Sequence, residues 1–220
     1  METASLILFA AFSIIHLYDS YRDNAEGRAK TKPFLLLFLL LFYVSSAKHL
    51  DVFLALALLF SWLGDVLLIP KGHKWFTIGG ISFMISHLFF ILTYRHHIHL
   101  RDIPLHLLLP AAILYYGISL LVIRQIQPTT PKKMIGPMYF YLLCNSTMNL
   151  FSFVQLWQNR SAGAVIAFIG ALLFFMSDCC LFLVRYYKDP EVVFRKHFTV
   201  MLTYLLGELM IVLGILKLMI

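Results

Sequence analysis

Two aspartates lie inside long apolar runs of the sequence, where an isolated charge is costly. Asp65 stands in FSWLGDVLLIP (60–70), and Asp178 stands in FFMSDCC (174–180). Insertion scales make an aspartate at the centre of a membrane helix unfavourable by roughly 2.5–3.5 kcal/mol, so such a residue usually has a partner or a task. Burial favours the protonated carboxyl, and two acids that share a site strengthen this effect for one of them. The pair therefore predicts a proton donor beside a base, the arrangement of general acid–base hydrolysis.

Further polar residues recur at helical spacing in the neighbouring apolar runs. Asn145 follows Tyr141 by four residues, Glu208 follows Tyr204 by four, and His87 lies near the middle of its run. Residues four apart share one face of a helix, so each set can point into a common interior. The sequence predicts that four of these residues orient water and the two catalytic carboxyls: His87, Asn145, Tyr204 and Glu208. Purely structural hydrogen bonding between helices is the alternative.

Two basic residues stand at the expected ends of helices that border this site. Lys32 and Arg185 are candidates for holding a phosphate by charge-assisted hydrogen bonds. The alternative for both is extension to the head groups of surrounding lipids. Cys179 and Cys180 directly follow Asp178 without a basic neighbour in the sequence, and we interpret them as packing residues.

The composition indicates a protein that is partly solvated by lipid. The 220 residues are 60% hydrophobic and 13% charged, which is more apolar surface than a soluble domain of this length can bury. The net charge of +7 then indicates basic loops on the cytoplasmic side of a membrane rather than binding of nucleic acid. The first apolar run lacks a basic start and a small-residue cleavage site, so we expect a retained helix rather than a signal peptide.

Eight apolar stretches, separated by short charged or proline-bearing loops, predict an all-α, polytopic membrane helix bundle. It is expected to form one domain over residues 1–220 with about eight transmembrane helices. The expected spans are 5–21, 33–47, 52–69, 76–94, 104–123, 137–157, 162–184 and 197–216. The second is the shortest, at about fifteen residues, whereas a perpendicular span needs about twenty.

Lysine and arginine are distributed unequally between the two sides of this bundle. The loops after spans one, three, five and seven hold 13 of the 18, so the positive-inside rule puts both termini on the non-cytoplasmic side. Asp65 and Asp178 come late in inward-running helices, which predicts a site that opens toward the cytoplasm. The expected membrane is the inner membrane of a bacterium or the endoplasmic reticulum of a eukaryote. The similarity between ALLFSWLGD and ALLFFMSD is compatible with a duplication of four plus four helices or with chance.

Motifs for several other chemistries are missing from the sequence. It contains no G-x-S-x-G nucleophile elbow, P-loop, G-x-G-x-x-G or H-E-x-x-H pattern. The histidines of RHHIH (95–99) fall in a predicted outside loop without metal-ligand spacing, so neither a metal nor another cofactor is expected. An intramembrane aspartyl protease would need G-x-G-D, and here only Gly64–Asp65 matches, with Trp62 in place of the first glycine.

Five blocks of the sequence, in this order, resemble the YhhN family of eight-helix membrane proteins. They are TKPFLL (31–36), ALLFSWLGDVLL (57–68), GGISFMISHLFFI (79–91), GALLFFMSDCCLFL (170–183) and VMLTYLLGELMIVLG (200–214). That family includes the lysoplasmalogenases, so the resemblance implies cleavage of the vinyl ether of a lysoplasmalogen to a fatty aldehyde and a glycerophospho-base. The family pattern has Gln where Glu208 stands and Tyr where Phe90 stands, and a different head-group preference or rate would follow if these residues contact the substrate.

The implied reaction fits the two acids. A vinyl ether is labile only to acid: protonation on carbon gives an oxocarbenium ion, water adds, and the hemiacetal collapses. We therefore expect one of Asp65 and Asp178 to donate the proton while the other, ionised, stabilises the cation and activates water, as in glycosidase carboxylate pairs. The expected partners are the lysophospholipid substrate and membrane lipids. A transporter or lipid-binding protein with structural buried acids is the alternative from another functional class.

Overall fold

Eight α-helices make up most of the chain in a computed structural model, which describes residues 2–99, 101 and 103–219. They are α1 (Glu2–Tyr21), α2 (Ala25–Ser46), α3 (Val52–Leu67), α4 (His73–His96), α5 (Leu105–Ile126), α6 (Lys132–Gln158), α7 (Ala162–Tyr186) and α8 (His197–Leu218). Two short 3-10 helices, Gln127–Thr129 and Pro190–Val192, follow α5 and α7. None of the described residues forms a β-strand. The predicted all-α class is therefore confirmed.

Side-chain caps fix where several of these helices begin. The Asp51 carboxylate accepts hydrogen bonds from the backbone N–H groups of Phe53 (2.8 Å) and Leu54 (3.3 Å) at the start of α3. Asn24 caps α2 by accepting from the Gly27 N–H group at 3.2 Å. Such caps satisfy backbone donors that the first turn of a helix leaves unpaired. The cap at Asn24 lets α2 begin in the charged segment that precedes its apolar run.

The second helix is longer than predicted. The apolar run 33–47 indicated a short span, but α2 covers 22 residues and contains Pro33. The segment before Pro33 continues the helix because Asn24 caps it and because several of its residues are good helix formers. The Pro33 carbonyl accepts a hydrogen bond from the Trp62 indole at 2.7 Å, which ties α2 to α3. Lys32 therefore lies inside a helix and not at its end.

Six helices among the described residues are long and apolar enough to cross a membrane. They are α1, α2, α4, α5 together with the 3-10 turn after it, α7 and α8. The short helix α3 has 16 residues, and α6 has 27 residues but buries several polar side chains. The chain is thus a multi-pass membrane protein, in which length and apolarity alone support six of the eight predicted spans.

The helices that carry the polar residues pack on one another. Helix α4 contacts both α3 and α6, and α6 also packs against α5 and α7. Helix α8 lies along α7 and reaches α1 and α2. Candidate residues from six different helices can therefore meet in the interior of the bundle.

A seam of small residues brings α7 and α8 into backbone contact. A Cβ atom added at Gly170 would lie 2.7 Å from the Gly207 carbonyl oxygen, and one added at Gly214 would lie 2.4 Å from the Ala167 backbone nitrogen. Small residues of this kind let membrane helices approach closely. Because Gly207 directly precedes Glu208, the seam also fixes where this acid stands relative to α7.

Replacing Gly214 with alanine is expected to destabilise the bundle by about 1–3 kcal/mol, because the new methyl group forces α7 and α8 apart. Thermal unfolding of the purified protein in detergent measures the effect. Gly117→Ala on α5 is the matched control, because a Cβ atom there meets no described atom within 4 Å. Equal melting temperatures for the two variants would contradict the close contact.

Candidate acid site

Asp65 is held by a cation and a hydroxyl group in the centre of the bundle. Lys32 Nζ on α2 lies 3.2 Å from Asp65 Oδ1, and the Tyr204 hydroxyl on α8 donates a hydrogen bond to Oδ2 at 3.0 Å. Asp65 is only 1% exposed. A buried ion pair is tolerated when further hydrogen bonds satisfy its remaining atoms. In this arrangement the Lys32 ammonium stands where it can neutralise the carboxylate form of Asp65.

The position of Lys32 differs from the sequence expectation. We expected this residue at a helix end and the intramembrane acids without a basic partner, but the early start of α2 turns its ammonium toward Asp65. The Lys32 side chain is 16% exposed, so it is largely withdrawn from the surface. A phosphate contact of Lys32 stays a prediction, whereas the ion pair is a feature of the fold.

Asp178 forms the second centre of polar contacts. Its Oδ2 atom accepts a hydrogen bond from Asn145 Nδ2 at 2.7 Å. His87 Nε2 lies 3.3 Å from the same oxygen but is not aligned as a hydrogen bond. All three side chains are buried. The predicted convergence of Asp178, Asn145 and His87 is therefore present in the fold.

His87 presents its Nε2 atom to Asp178. His87 Nδ1 lies 2.7 Å from the Phe83 carbonyl oxygen, which can only accept, so Nδ1 carries a hydrogen. Nε2 is the ring nitrogen on the side of Asp178, 3.3 Å from its Oδ2 atom. The two groups therefore lie close enough for a proton to move between them.

Aromatic rings connect the two acids into one site. The Phe174 ring lies 4.9 Å from the His87 ring and 5.3 Å from the Tyr204 ring, measured between centroids. Tyr141 and Glu208 each interact electrostatically with both Asp65 and Asp178. The two aspartates therefore belong to a single buried polar cluster, although they stand on different helices.

Glu208 lies in the same cluster without a basic partner. Its side chain is fully buried. Ser61 is its polar neighbour, and Ser61 Oγ also lies 2.8 Å from Ser86 Oγ. Few polar groups therefore surround this acid.

A polar face of α6 continues away from Asp178. Asn149 Nδ2 donates to Asn145 Oδ1 at 3.0 Å. Beyond it lie Ser152, which interacts with the Tyr94 hydroxyl, and Gln155, whose buried amide has no hydrogen-bond partner among the described residues. Buried polar groups without protein partners are usually satisfied by water. This face is therefore suited to hold the water that a hydrolysis consumes.

Tyr141 is a site residue that was not among the predicted ones. Its ring packs edge-on against His87, at 5.3 Å between centroids, and its hydroxyl interacts with Asp178. Its position four residues before Asn145 was the only signal in the sequence. That spacing places the two residues on one face but does not tell which groups that face meets.

Arg185 does not contact either aspartate. Its guanidinium lies 3.6 Å from the centroid of the Phe76 ring, and its Nε atom donates to the Tyr186 hydroxyl at 3.3 Å. Seven residues separate it from Asp178, which is about 10 Å along a helix. Arg185 therefore stands at the end of α7, as expected, with an exposed side chain.

The described residues contain no group of three or more His, Cys, Asp or Glu side chains placed to hold a metal ion. Cys179 is buried beside Asp178, and all three cysteines are free.

Comparison with known proteins gives one match. The model of the YhhN family matches residues 27–215, a range that contains every residue of the acid site. No curated protein and no solved structure matches the chain significantly.

Replacing Lys32 with methionine is expected to destabilise the protein by about 3–5 kcal/mol, because Asp65 is left as a buried charge without its partner. Unfolding in detergent measures this loss, and adding Asp65→Asn should recover much of it. Lys30→Met is the matched control, because Lys30 forms an exposed ion pair with Glu26 one helical turn away and should change stability little. Similar losses for both lysine variants would contradict a buried pair.

Proposed function

The chain belongs to the YhhN family, and from this we propose that it is a lysoplasmalogenase-like hydrolase. The proposed reaction cleaves the vinyl ether of a lysoplasmalogen to a fatty aldehyde and a glycerophospho-base. The observation that carries the proposal is the buried contact between His87 and Asp178, to which we assign one transferable proton, in a cluster with an aspartate held by Lys32. A reaction that begins with proton transfer to carbon needs this combination.

The different partners of the two aspartates support different roles. Asp65 lies beside the Lys32 ammonium and accepts a hydrogen bond from the Tyr204 hydroxyl. Both contacts stabilise the carboxylate form, so Asp65 is a poor proton donor. Asp178 lies beside His87, accepts a hydrogen bond from Asn145 and interacts with the Tyr141 hydroxyl, without a lysine or arginine beside it among the described residues. We therefore assign proton donation to the His87–Asp178 pair and stabilisation of the cation to Asp65. From the sequence alone the two roles were interchangeable.

The proposed steps balance as follows. The pair transfers its proton to the outer carbon of the vinyl ether, and the ether oxygen then shares the positive charge of the oxocarbenium ion. Water adds to the carbon bonded to that oxygen, and its proton returns to the carboxylates. The hemiacetal collapses as its hydroxyl proton is removed and the glycerol oxygen takes up a proton, which releases aldehyde and alcohol. General acid catalysis of this kind typically contributes about 10²–10⁴-fold in rate.

The orientation in the membrane is also a proposal. Asp65 and Asp178 stand in the last turns of α3 and the last third of α7, and His87 and Asn145 stand near the middle of α4 and α6. Lysine and arginine are concentrated in the loops after α1, α3, α5 and α7, which the positive-inside rule places in the cytoplasm. Together with this bias, the positions of the four residues support a site that opens toward the cytoplasm.

Asp178→Asn and Asp65→Asn are each expected to lower aldehyde release from lysoplasmalogen at least about 100-fold, because one loses the proton donor and the other the anion. The assay compares lysoplasmalogen with an ester-linked lysolipid, using purified protein. Asp51→Asn is the control, because Asp51 caps the other end of α3 and asparagine caps equally well. Wild-type rates in a folded Asp178→Asn variant would refute the mechanism, and lipid movement across liposomes without aldehyde would favour a transporter.

Hydrolysis in D₂O is expected to place one deuterium on the aldehyde carbon next to the carbonyl, because the first step delivers a solvent-exchangeable proton to that carbon. Mass spectrometry of the trapped aldehyde detects the label. The rate should also fall, since the proton is in transfer in the transition state. An aldehyde without the label would rule out protonation on carbon.

A further inference from the structure

An apolar pocket lies between α4, α6 and α7 and ends at the acid site. Its volume is about 420 Å³, and its wall includes Gly80 of α4, Tyr141 of α6 and Phe182 of α7. Tyr141 also packs against His87 and interacts with Asp178. Phe182 follows Asp178 by about one helical turn. The acid site therefore borders the inner end of this apolar pocket.

The apolar pocket opens toward the surrounding lipid. Ile81 and Phe140 border it and are 45% and 63% exposed. In a multi-pass protein, exposed apolar side chains on the flanks of the helices face the bilayer. A hydrocarbon chain can thus enter the pocket sideways from the membrane.

A second pocket, called the basic pocket, adjoins the outer end of the apolar pocket. It measures about 560 Å³ and is lined at the starts of α4 and α6 by His73, Lys74, Lys132 and Lys133. The two pockets share Thr77 and Met134, whose Oγ1 and Sδ atoms lie 3.3 Å apart.

The charge of the basic pocket is not balanced within the chain. None of its three lysines has an ion-pair partner in the part of the chain that the structure describes. Several unpaired cations around one concavity attract an anion, and a phosphate accepts charge-assisted hydrogen bonds from lysine. An apolar pocket joined to such a site matches an amphiphile with an anionic head.

From this juxtaposition we infer that the basic pocket binds the phosphate of a single-chain lipid, whose glycerol backbone and first chain carbons lie in the apolar pocket. The rest of the chain leaves between Ile81 and Phe140. Seven residues of α6, about 10 Å, separate Met134 from Tyr141, so one lipid can reach both ends. A second acyl chain would compete for the same 420 Å³, which favours lipids with one chain.

This inference rests on the proposed function, because it places the ether bond against Tyr141. It also changes the identity of the phosphate ligands. Lys32 is turned toward Asp65, and Arg185 stacks on Phe76 at the rim of the apolar pocket. Lys132 and Lys133 take the role that the sequence suggested for Lys32.

The double variant Lys132→Gln/Lys133→Gln tests the basic pocket. Its substrates are an alkenyl glycerophospholipid and the matching alkenylglycerol without phosphate. We expect the ratio of kcat/KM between the two lipids to fall at least about tenfold, because the lost contacts are to the phosphate. Lys30→Gln, on the exposed face of α2, should keep the parent ratio. An unchanged ratio in the double variant would overturn the inference.

A binding measurement separates this inference from the proposed reaction. A saturated ether lysophospholipid has no vinyl ether and is not cleaved, so its affinity can be measured even if the protein releases no aldehyde. The lysine variant should bind it at least about tenfold more weakly than the parent. If inorganic phosphate bound the parent protein as tightly as the ether lipid does, the basic pocket would be a site for free anions. That result would overturn the assignment to a lipid.

Gly80→Leu tests the apolar pocket. A Cβ atom at Gly80 meets no described atom within 4 Å, and Gly80 lines the apolar pocket, so a leucine side chain there occupies pocket space. We expect it to weaken binding of the saturated ether lipid at least about tenfold, while Gly117→Leu on α5, with equally open space, binds like the parent. Parent-like binding by a folded Gly80→Leu protein would exclude the lipid from this pocket.

Discussion

The ion pair between Lys32 and Asp65 sets the electrostatic conditions for the whole site. An uncompensated carboxylate is very costly in a low-dielectric interior, so the Lys32 ammonium, 3.2 Å away, is what allows an anion to persist there. The other two acids have no cation beside them among the described residues: Asp178 lies against His87 and Asn145, and Glu208 is buried near Ser61. The proposed mechanism assigns the available proton to the His87–Asp178 pair and the lasting negative charge to Asp65.

This balance depends on features of the bundle that lie outside the cluster. Helix α2 must begin at Ala25 for Lys32 to reach Asp65, and the Asn24 cap and the Trp62 hydrogen bond to Pro33 hold it in that position. The glycine seam between α7 and α8 brings Glu208 close to α7. Packing and electrostatics are therefore coupled. A small shift of α2 would separate Lys32 from Asp65, and a small shift of α8 would separate Tyr204 from the same carboxyl group.

The sequence was informative where the physical cause is local. Apolar runs define the helices, and the cost of a buried charge singles out Asp65 and Asp178 for attention, so most of the acid site was predictable. The partner of Asp65 was not, because α2 extends beyond the apolar run that marked it and Pro33 looked like its start. Tyr141 and the lysines of the basic pocket were missed for a related reason, since their neighbours come from other helices. The proposed roles of these residues remain predictions.

The polar face of α6 has a consequence for how the protein enters its membrane. A helix with asparagine, serine and glutamine buried along one side partitions poorly into lipid as an isolated segment. Its neighbours α5 and α7 are strongly apolar, so they can insert first and offer it a protein surface in place of hydrocarbon. Biogenesis is then cooperative at this point: α6 is retained only as part of a group of helices, and the polar interior of the bundle is assembled after insertion.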